Sequence, residues 1–203
     1  MPVEAASLVA TDVAGVYGSL PAGLGPADVA RAVGDAWAAL KGVRAVDGMR
    51  QRVHSLDRVR FPVRGAAGRM RLAGEGDLAL AGSWIRSFVR TTGLAGVRDP
   101  ETRARQLVAA RFLALWENRV PVSMAAFPAR TRNTVRVGYV YTPDEHRRRG
   151  YATALVAQVS RHILDSGFRR CILYTDLANP TSNRIYHAIG YRPVQDVMDV
   201  NFA

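Results

Sequence analysis

Apolar residues recur every three or four positions from Ala27 to Leu40, placing Val29, Val33, Trp37 and Leu40 on one face. That spacing predicts a helix, with Asp28 in its first turn and the Pro/Gly stretch Pro21 to Pro26 as a turn before it. Val13 to Leu20 is expected to be a strand, and a second extended stretch runs from about Val53 to Phe61. Pro62 to Gly68 has linker composition, so the chain divides into a short α/β segment, 1–65, and a larger part, 66–203.

The larger part opens with a short strand, Arg69 to Leu72, and a helix from about Asp77 to Thr92 whose stripe of Leu80, Trp84 and Phe88 must pack on something. Gly93 ends that helix, and Asp99 with Pro100 starts another that runs to about Val108. The pattern then turns to β. Phe112 to Glu117 and Val120 to Phe127 are apolar runs joined by Asn118-Arg119, a hairpin connection, and TVRVGYVYT, Thr134 to Thr142, supplies a third antiparallel strand. A helix follows from Tyr151 to about Ser166, with Leu155, Val159 and Ile163 spaced by four and Gly167 closing it. Cys171 to Thr175 reads as an apolar strand buried on both faces, completing a βαβ unit. Asn183 to Ile189 makes a short helix ended by Gly190, and Val194 to Phe202 a last strand. The expected fold is α/β, a central mixed sheet flanked by helices.

Composition narrows the function. A chain of 203 residues, 48% hydrophobic, can bury one full core. No apolar run approaches the roughly 18 residues that span a bilayer, and no basic segment leads into a hydrophobic one at the start, so a cytoplasmic protein without membrane contact is expected. One cysteine, Cys171, allows no internal disulfide, and His54, His146, His162 and His187 show no ligand spacing with it, so no metal is expected. The net charge of +11 would suit nucleic acid. However, Lys41 is the only lysine and the arginines are scattered, except for Arg147, Arg148 and Arg149. Most of that charge therefore reads as solvated surface and the cluster as a site for an anionic ligand, with no nucleic-acid partner.

The cluster lies in HRRRGYAT, His146 to Thr153, between the end of a strand and the start of a helix. A phosphate needs several converging backbone N–H groups, which a helix N-terminus supplies together with a favourable dipole. Three arginines add charge, and Gly150 and Ala152 are small enough for close backbone approach.

This turn resembles the signature of the GNAT superfamily of acyl-CoA-dependent N-acetyltransferases: Arg or Gln, two residues, Gly, one residue, Gly or Ala. Here it is Arg147, Arg148, Arg149, Gly150, Tyr151, Ala152, after VYTPDEH, Val140 to His146. The resemblance spans about residues 69–203, with helix, hairpin, long strand, signature turn and distal motif in the family's order. It implies a GNAT-like sheet with a splayed strand pair and acetyl-CoA as cosubstrate. It implies pyrophosphate binding at Arg147 to Thr153, and a pantetheine arm bonded to the backbone around Val140, Tyr141 and Thr142, where Pro143 ends the strand.

DLANPTSNRIYHAIGY, Asp176 to Tyr191, looks like the family's distal motif, with Asn183 and Tyr186 three apart on one helical face. By the same resemblance, Asn179 or Asn183 would bond the pantetheine arm and Tyr186 would protonate the departing thiolate, a role its ordinary pKa near 10 suits. Many relatives carry a Glu on the central strands as general base, whereas TVRVGYVYT holds no acid. The candidates are Asp176, best placed at a strand's carboxyl end, Glu117, and Tyr141 or His146 acting through water. Cys171 reads as an inert core thiol.

The expected reaction is direct transfer of acetyl from acetyl-CoA to a small-molecule or peptide amine in a ternary complex. A non-catalytic CoA- or partner-binding module of the same fold is the alternative. Residues 1–65 resemble a reduced GNAT-like half and would wall the acceptor cleft or form a homodimer contact. Trp84, Phe88, Trp116 and Phe127 are divided between core and cleft, and the acceptor is left open.

Overall fold

The computed structural model describes residues 2–61, 65–94 and 97–203, with backbone alone for 180–182. Within the linker reading of Pro62 to Gly68, residues 62–64 lie outside the described residues. In chain order the elements are α1 (Ala6–Val16), β1 (Ala22–Pro26), α2 (Ala27–Lys41), β2 (Ala45–Leu56), β3 (Arg69–Leu72), α3 (Leu78–Thr92) and α4 (Pro100–Ala109). The series continues with β4 (Leu113–Asn118), β5 (Val120–Arg130), β6 (Thr134–Tyr141), α5 (Tyr151–Asp165), β7 (Arg170–Asp176), α6 (Pro180–Ile189) and β8 (Arg192–Phe202). The strands form a mixed sheet in the order β1-β8-β2-β7-β6-β5-β4-β3, so the expected fold class holds.

Two compact units make up the chain: Met1–His54 with Tyr174–Asn183 and Pro193–Ala203, and Ser55–Leu173 with Arg184–Arg192. In the first unit the expected strand over Val13 to Leu20 is absent. Its first residues belong to α1, because ASLVATDVAGV is rich in small helix-compatible residues and lacks strict alternation. The strand lies instead in the Pro/Gly stretch read as a turn, where Ala22–Pro26 pairs antiparallel with Val197–Asn201 of β8. Gly23 and Gly25 take extended backbone there, and Pro26 closes the strand where no further donor is needed. The helix over Ala27 to Leu40 is found, with Gly42 ending it at φ 67. A Cβ at Gly34 would lie 2.6 Å from Val200 Cγ1, so the missing side chain lets α2 approach β8 closely. Trp37 is buried against Phe202, ring centroids 6.1 Å apart. β2 begins at Ala45 rather than Val53. Its polar start is held by cross-strand pairs, Gln51 to Asp199 and Arg52 to Asp196.

In the second unit the sheet is covered on both faces. One cluster packs α5 through Leu155, Val156, Val159 and Ile163 against Val135, Val137, Cys171 and Leu173. The other packs α3 and α4 through Trp84, Ile85, Leu107 and Val108 against Leu113, Leu115, Met124 and Ala126. β4 is thus buried on both faces from Leu113 to Trp116, and each fully buried Leu contributes about 1.5–3 kcal/mol. Capping follows the sequence: Asp99 Oδ1 accepts from the N–H groups of Glu101 and Thr102, and Gly93 ends α3 at φ 66. β7 differs from the reading of a strand buried on both faces. Cys171, Leu173 and Thr175 are buried while Ile172 and Tyr174 are only half-buried.

β6 is the strand that shapes the site. It pairs antiparallel with β5 and parallel with β7, the latter at Thr134↔Arg170, Val135↔Cys171 and Arg136↔Ile172. Beyond that ladder β6 runs on through Val137 to Tyr141.

Candidate active site

The free stretch of β6 begins with an irregularity. Gly138 faces Ala126 and Tyr141 faces Met124, so two β6 residues, Tyr139 and Val140, oppose the single Ala125. Tyr139 takes φ 50 there. The extra residue reverses the alternation of side chains. Val135 and Val137 pack in the α5 cluster, and after the bulge it is Val140 that joins them while Tyr139 and Tyr141 pack on the α3/α4 side. Trp84 lies 6.1 Å from the Tyr141 ring and Phe88 5.4 Å from that of Tyr139.

Ser123, fully buried on β5, fixes the end of the strand. Its Oγ donates to the Tyr141 carbonyl at 3.0 Å, so Thr142 Oγ1, 2.9 Å away, donates to Ser123. Sequence reading missed Ser123, whose only signal is a hydroxyl inside an otherwise apolar run.

The signature turn comes next. Arg147 Nε donates to the Thr142 carbonyl at 3.0 Å, and its other end pairs with Asp144 at 2.8 Å. Arg147 therefore pins the turn to the strand end, whereas Arg148 and Arg149 stand exposed. Gly150 precedes α5 at φ 77 with no side-chain cap at that end, so the helix's first N–H groups have no side-chain acceptor. A Cβ at Gly150 would meet nothing nearer than Ala66 Cβ at 3.8 Å, so the way to those groups is open. Tyr151 points inward and its Oη accepts from Asn118 Nδ2 at 2.9 Å. Of the residues named for the turn, Gly150, Tyr151, Ala152 and Thr153 thus offer backbone, and Arg148 and Arg149 offer charge.

Tyr186 on α6 is 9% exposed, and burial pushes its hydroxyl up to about 12. Its ring meets that of Tyr191 edge-on, centroids 6.0 Å apart. Tyr191 bonds Ser160 at 2.8 Å, and the Cys171 thiol donates to the Ser160 carbonyl. Burial also raises Cys171 to about 12, which keeps it a protonated core thiol, as expected.

In the other unit Thr175 and Asn183 are joined. Thr175 Oγ1 donates to Asn183 Oδ1 at 2.6 Å, and His54 Nε2 stands 3.1 Å from the same hydroxyl. His54 and Thr175 are both buried. Neither was singled out from sequence, because a pairing across 121 positions leaves no local signal. Asp176 Oδ1 accepts the Ala178 N–H at 2.8 Å, and the Asn179 N–H donates to the Asp176 carbonyl at 3.0 Å. Glu117 is held by Arg71 and Arg69. Trp84, Trp116 and Phe127 are buried and Phe88 is half-buried.

Among the described residues no group of three or more His, Cys, Asp or Glu side chains is placed to hold a metal, and no helix is long and apolar enough to cross a membrane.

The parallel pairing of β6 with β7 ends at Arg136↔Ile172, β6 runs on beyond that ladder to Tyr141, and the glycine-led start of α5 follows at Gly150. Residues 118–198 match the family model described as FR47-like protein. Over 59 residues, 29% of this chain, the sequence is 34% identical to aminoglycoside N(6')-acetyltransferase type 1 of Serratia marcescens, and it spans 40% of that relative's length. A GNAT-family acetyltransferase from Colwellia psychrerythraea superimposes with a TM-score of 0.63 at 13% identity, covering 99% of this chain and 72% of that one. A GCN5-related N-acetyltransferase from Sphaerobacter thermophilus gives a TM-score of 0.63 at 16% identity, covering 88% and 58%. The fold is the one these GNAT-family and GCN5-related acetyltransferases share, and within it residues 118–198 are similar to the FR47-like family model.

Proposed function

We propose that the protein is an acyl-CoA-dependent N-acyltransferase of the cytoplasm that moves an acetyl group from acetyl-CoA to a primary amine. One observation carries this reading. β6 leaves its parallel ladder at Arg136↔Ile172, continues to Tyr141, and leads into a turn whose Gly150 and uncapped helix start are open to an anion. Val140, Tyr141 and Thr142 would face the pantetheine arm. The N–H groups at the start of α5 with Arg148 and Arg149 would hold the pyrophosphate, and Arg147 would keep the turn in place. Asn179 and Asn183 would complete the coenzyme contacts.

The chemistry is one displacement. The neutral amine attacks the thioester carbonyl carbon, the C–N bond forms, and the C–S bond breaks with its electron pair leaving on sulfur. A backbone N–H at Val140 or Tyr141 stabilises the developing oxyanion. Tyr186, protonated across the neutral range, gives its proton to the leaving sulfur and regains one from solvent. The ammonium proton goes to water or to Asp176, whose second carboxylate oxygen is the acceptor in this scheme. The curated relative is named for an aminoglycoside amine, which supports a small-molecule amine as acceptor, with a peptide amine as the other class. The transferase chemistry is assigned to residues 66–203 and an accessory role to residues 1–65.

The test is thiol release from acetyl-CoA with a panel of amines, the acetylated product identified by mass. Transfer to at least one amine is expected. Tight acetyl-CoA binding with no transfer across the panel would reduce the protein to a binding module.

A further inference from the structure

We infer that Arg103, Tyr139 and Phe88 form a positioning clamp that locks the bulge in β6 and so aims the backbone N–H groups of Val140 and Tyr141. The inference rests on the acyl-transfer reading.

A left-handed backbone at a non-glycine residue is sterically costly, and glycine or asparagine usually occupies such a place. In β6 a glycine stands one position away. Gly138 has no such φ and open space where a Cβ would be, while the bulky Tyr139 carries φ 50. The strained conformation persists only if its surroundings impose it. They do so through both helices on that face. Phe88 of α3 packs its ring 5.4 Å from the Tyr139 ring at 44°. Arg103 of α4 lays its guanidinium 5.5 Å from the ring centroid, and its Nε donates to Tyr139 Oη at 3.3 Å. α4 is itself fixed at its start by the Asp99 cap. The Tyr139 ring is thus held from two sides, and its main chain has little freedom to return to regular strand geometry.

The direction of Val140 and Tyr141 follows from that. Released from φ 50, the extra residue opposite Ala125 would remain but lose its fixed conformation, and the next two peptide groups would no longer be held in one direction. A donor that polarises a carbonyl works only if it is aimed before the reaction begins. The clamp supplies that aim without touching the substrate.

The test uses the full chain with acetyl-CoA labelled at the carbonyl carbon, read by difference infrared spectroscopy, alongside steady-state kinetics with the best amine. The wild-type protein should shift the bound thioester carbonyl to lower frequency. Tyr139→Gly, which permits φ 50 without holding it, and Arg103→Gln, which leaves β6 unaltered, should both lose most of that shift. They should also lower kcat by about 10- to 100-fold with KM for acetyl-CoA unchanged. Tyr139→Phe keeps the ring under Arg103 and against Phe88 and should recover most of the loss. A carbonyl equally shifted in all variants, or kcat and KM changing in step, overturns the clamp. An unshifted carbonyl in the bound wild-type complex also overturns it. Failure of the wild-type protein to bind acetyl-CoA overturns the acyl-transfer reading instead.

Discussion

The Thr175 hydroxyl donates to Asn183 Oδ1 at 2.6 Å and, having only one proton, must accept from His54 Nε2 at 3.1 Å. The direction of this chain is therefore fixed: His54 carries its proton on Nε2, and Asn183 turns its oxygen toward Thr175. Its amide nitrogen is left to face elsewhere, as a donor. Under the proposed coenzyme contact, Asn183 would meet its ligand through N–H groups, which would suit the carbonyls of a pantetheine arm.

Replacing Thr175 by Val removes the hydroxyl shared by His54 and Asn183. Loss of a buried hydrogen-bonding partner costs about 1–3 kcal/mol, and the released Asn183 side chain should also raise the KM for acetyl-CoA. Thr175→Ser should restore both. Thermal melts and coenzyme titrations read the two effects.

Tyr186→Phe should lower kcat by about 100-fold with little change in acetyl-CoA affinity, the signature of a lost proton donor. With its hydroxyl raised to about 12, Tyr186 stays protonated well past neutrality, so it should set no alkaline limb in the rate profile below about pH 10. The sign for stability runs the same way. Cys171 and Tyr186 are both raised to about 12 from ordinary values of 9.0 and 10.0, and Tyr191 is raised as well. Each favours the protonated folded state, so their contribution is complete below pH 9 and is lost as pH climbs from 9 toward 12. Urea unfolding at stepped alkaline pH should show that decline, and a flat curve would contradict the burial of these groups.

Two glycines with positive φ should respond differently to Ala. At Gly190, φ 111, a Cβ would lie 3.0 Å from the Arg58 carbonyl oxygen, so Gly190→Ala should destabilise the fold by more than about 1 kcal/mol. Gly150, φ 77, has no such obstacle and bears only the left-handed backbone strain, so Gly150→Ala should lower stability less than Gly190→Ala while also raising the KM for acetyl-CoA. Melting temperature against KM separates the pair.

The three arginines of the turn should separate too. Arg148→Ala and Arg149→Ala remove exposed charge and should weaken acetyl-CoA binding while flattening its dependence on salt. Arg147→Ala removes the bond to the Thr142 carbonyl and should lower affinity with the salt dependence retained. Titrations at low and high ionic strength distinguish the two outcomes.

The sequence shows most clearly what is local. Strand β3, the caps at Asp99 and Gly93, helix α5 and the hairpin at Arg119, φ 65, all follow from periodicity or turn chemistry carried by adjacent residues. The glycine-led turn was legible for the same reason, since phosphate-binding geometry is built from one short segment. α1 and β1 were misread because neither has a decisive pattern. A small-residue helix looks much like a strand, and a strand of Ala, Gly, Leu and Pro looks like a turn until β8 is there to pair with it. Ser123, Thr175 and His54 could not be picked out, as each acquires meaning only from a partner brought up by the sheet. The bulge at Tyr139 was invisible for a further reason, because TVRVGYVYT alternates well enough to pass as an unbroken strand.

That bulge gives β6 a parity, and parity is a property no single side chain holds. Residues before it and after it obey opposite rules for which face is inside. Deleting one residue between Gly138 and Tyr141 would therefore exchange the two sets, sending Tyr141 toward α5 and Val140 toward α3 and α4, with every chemical group otherwise conserved. For this strand, length is more restrictive than composition: a count of residues, kept to the unit, decides what the end of β6 presents.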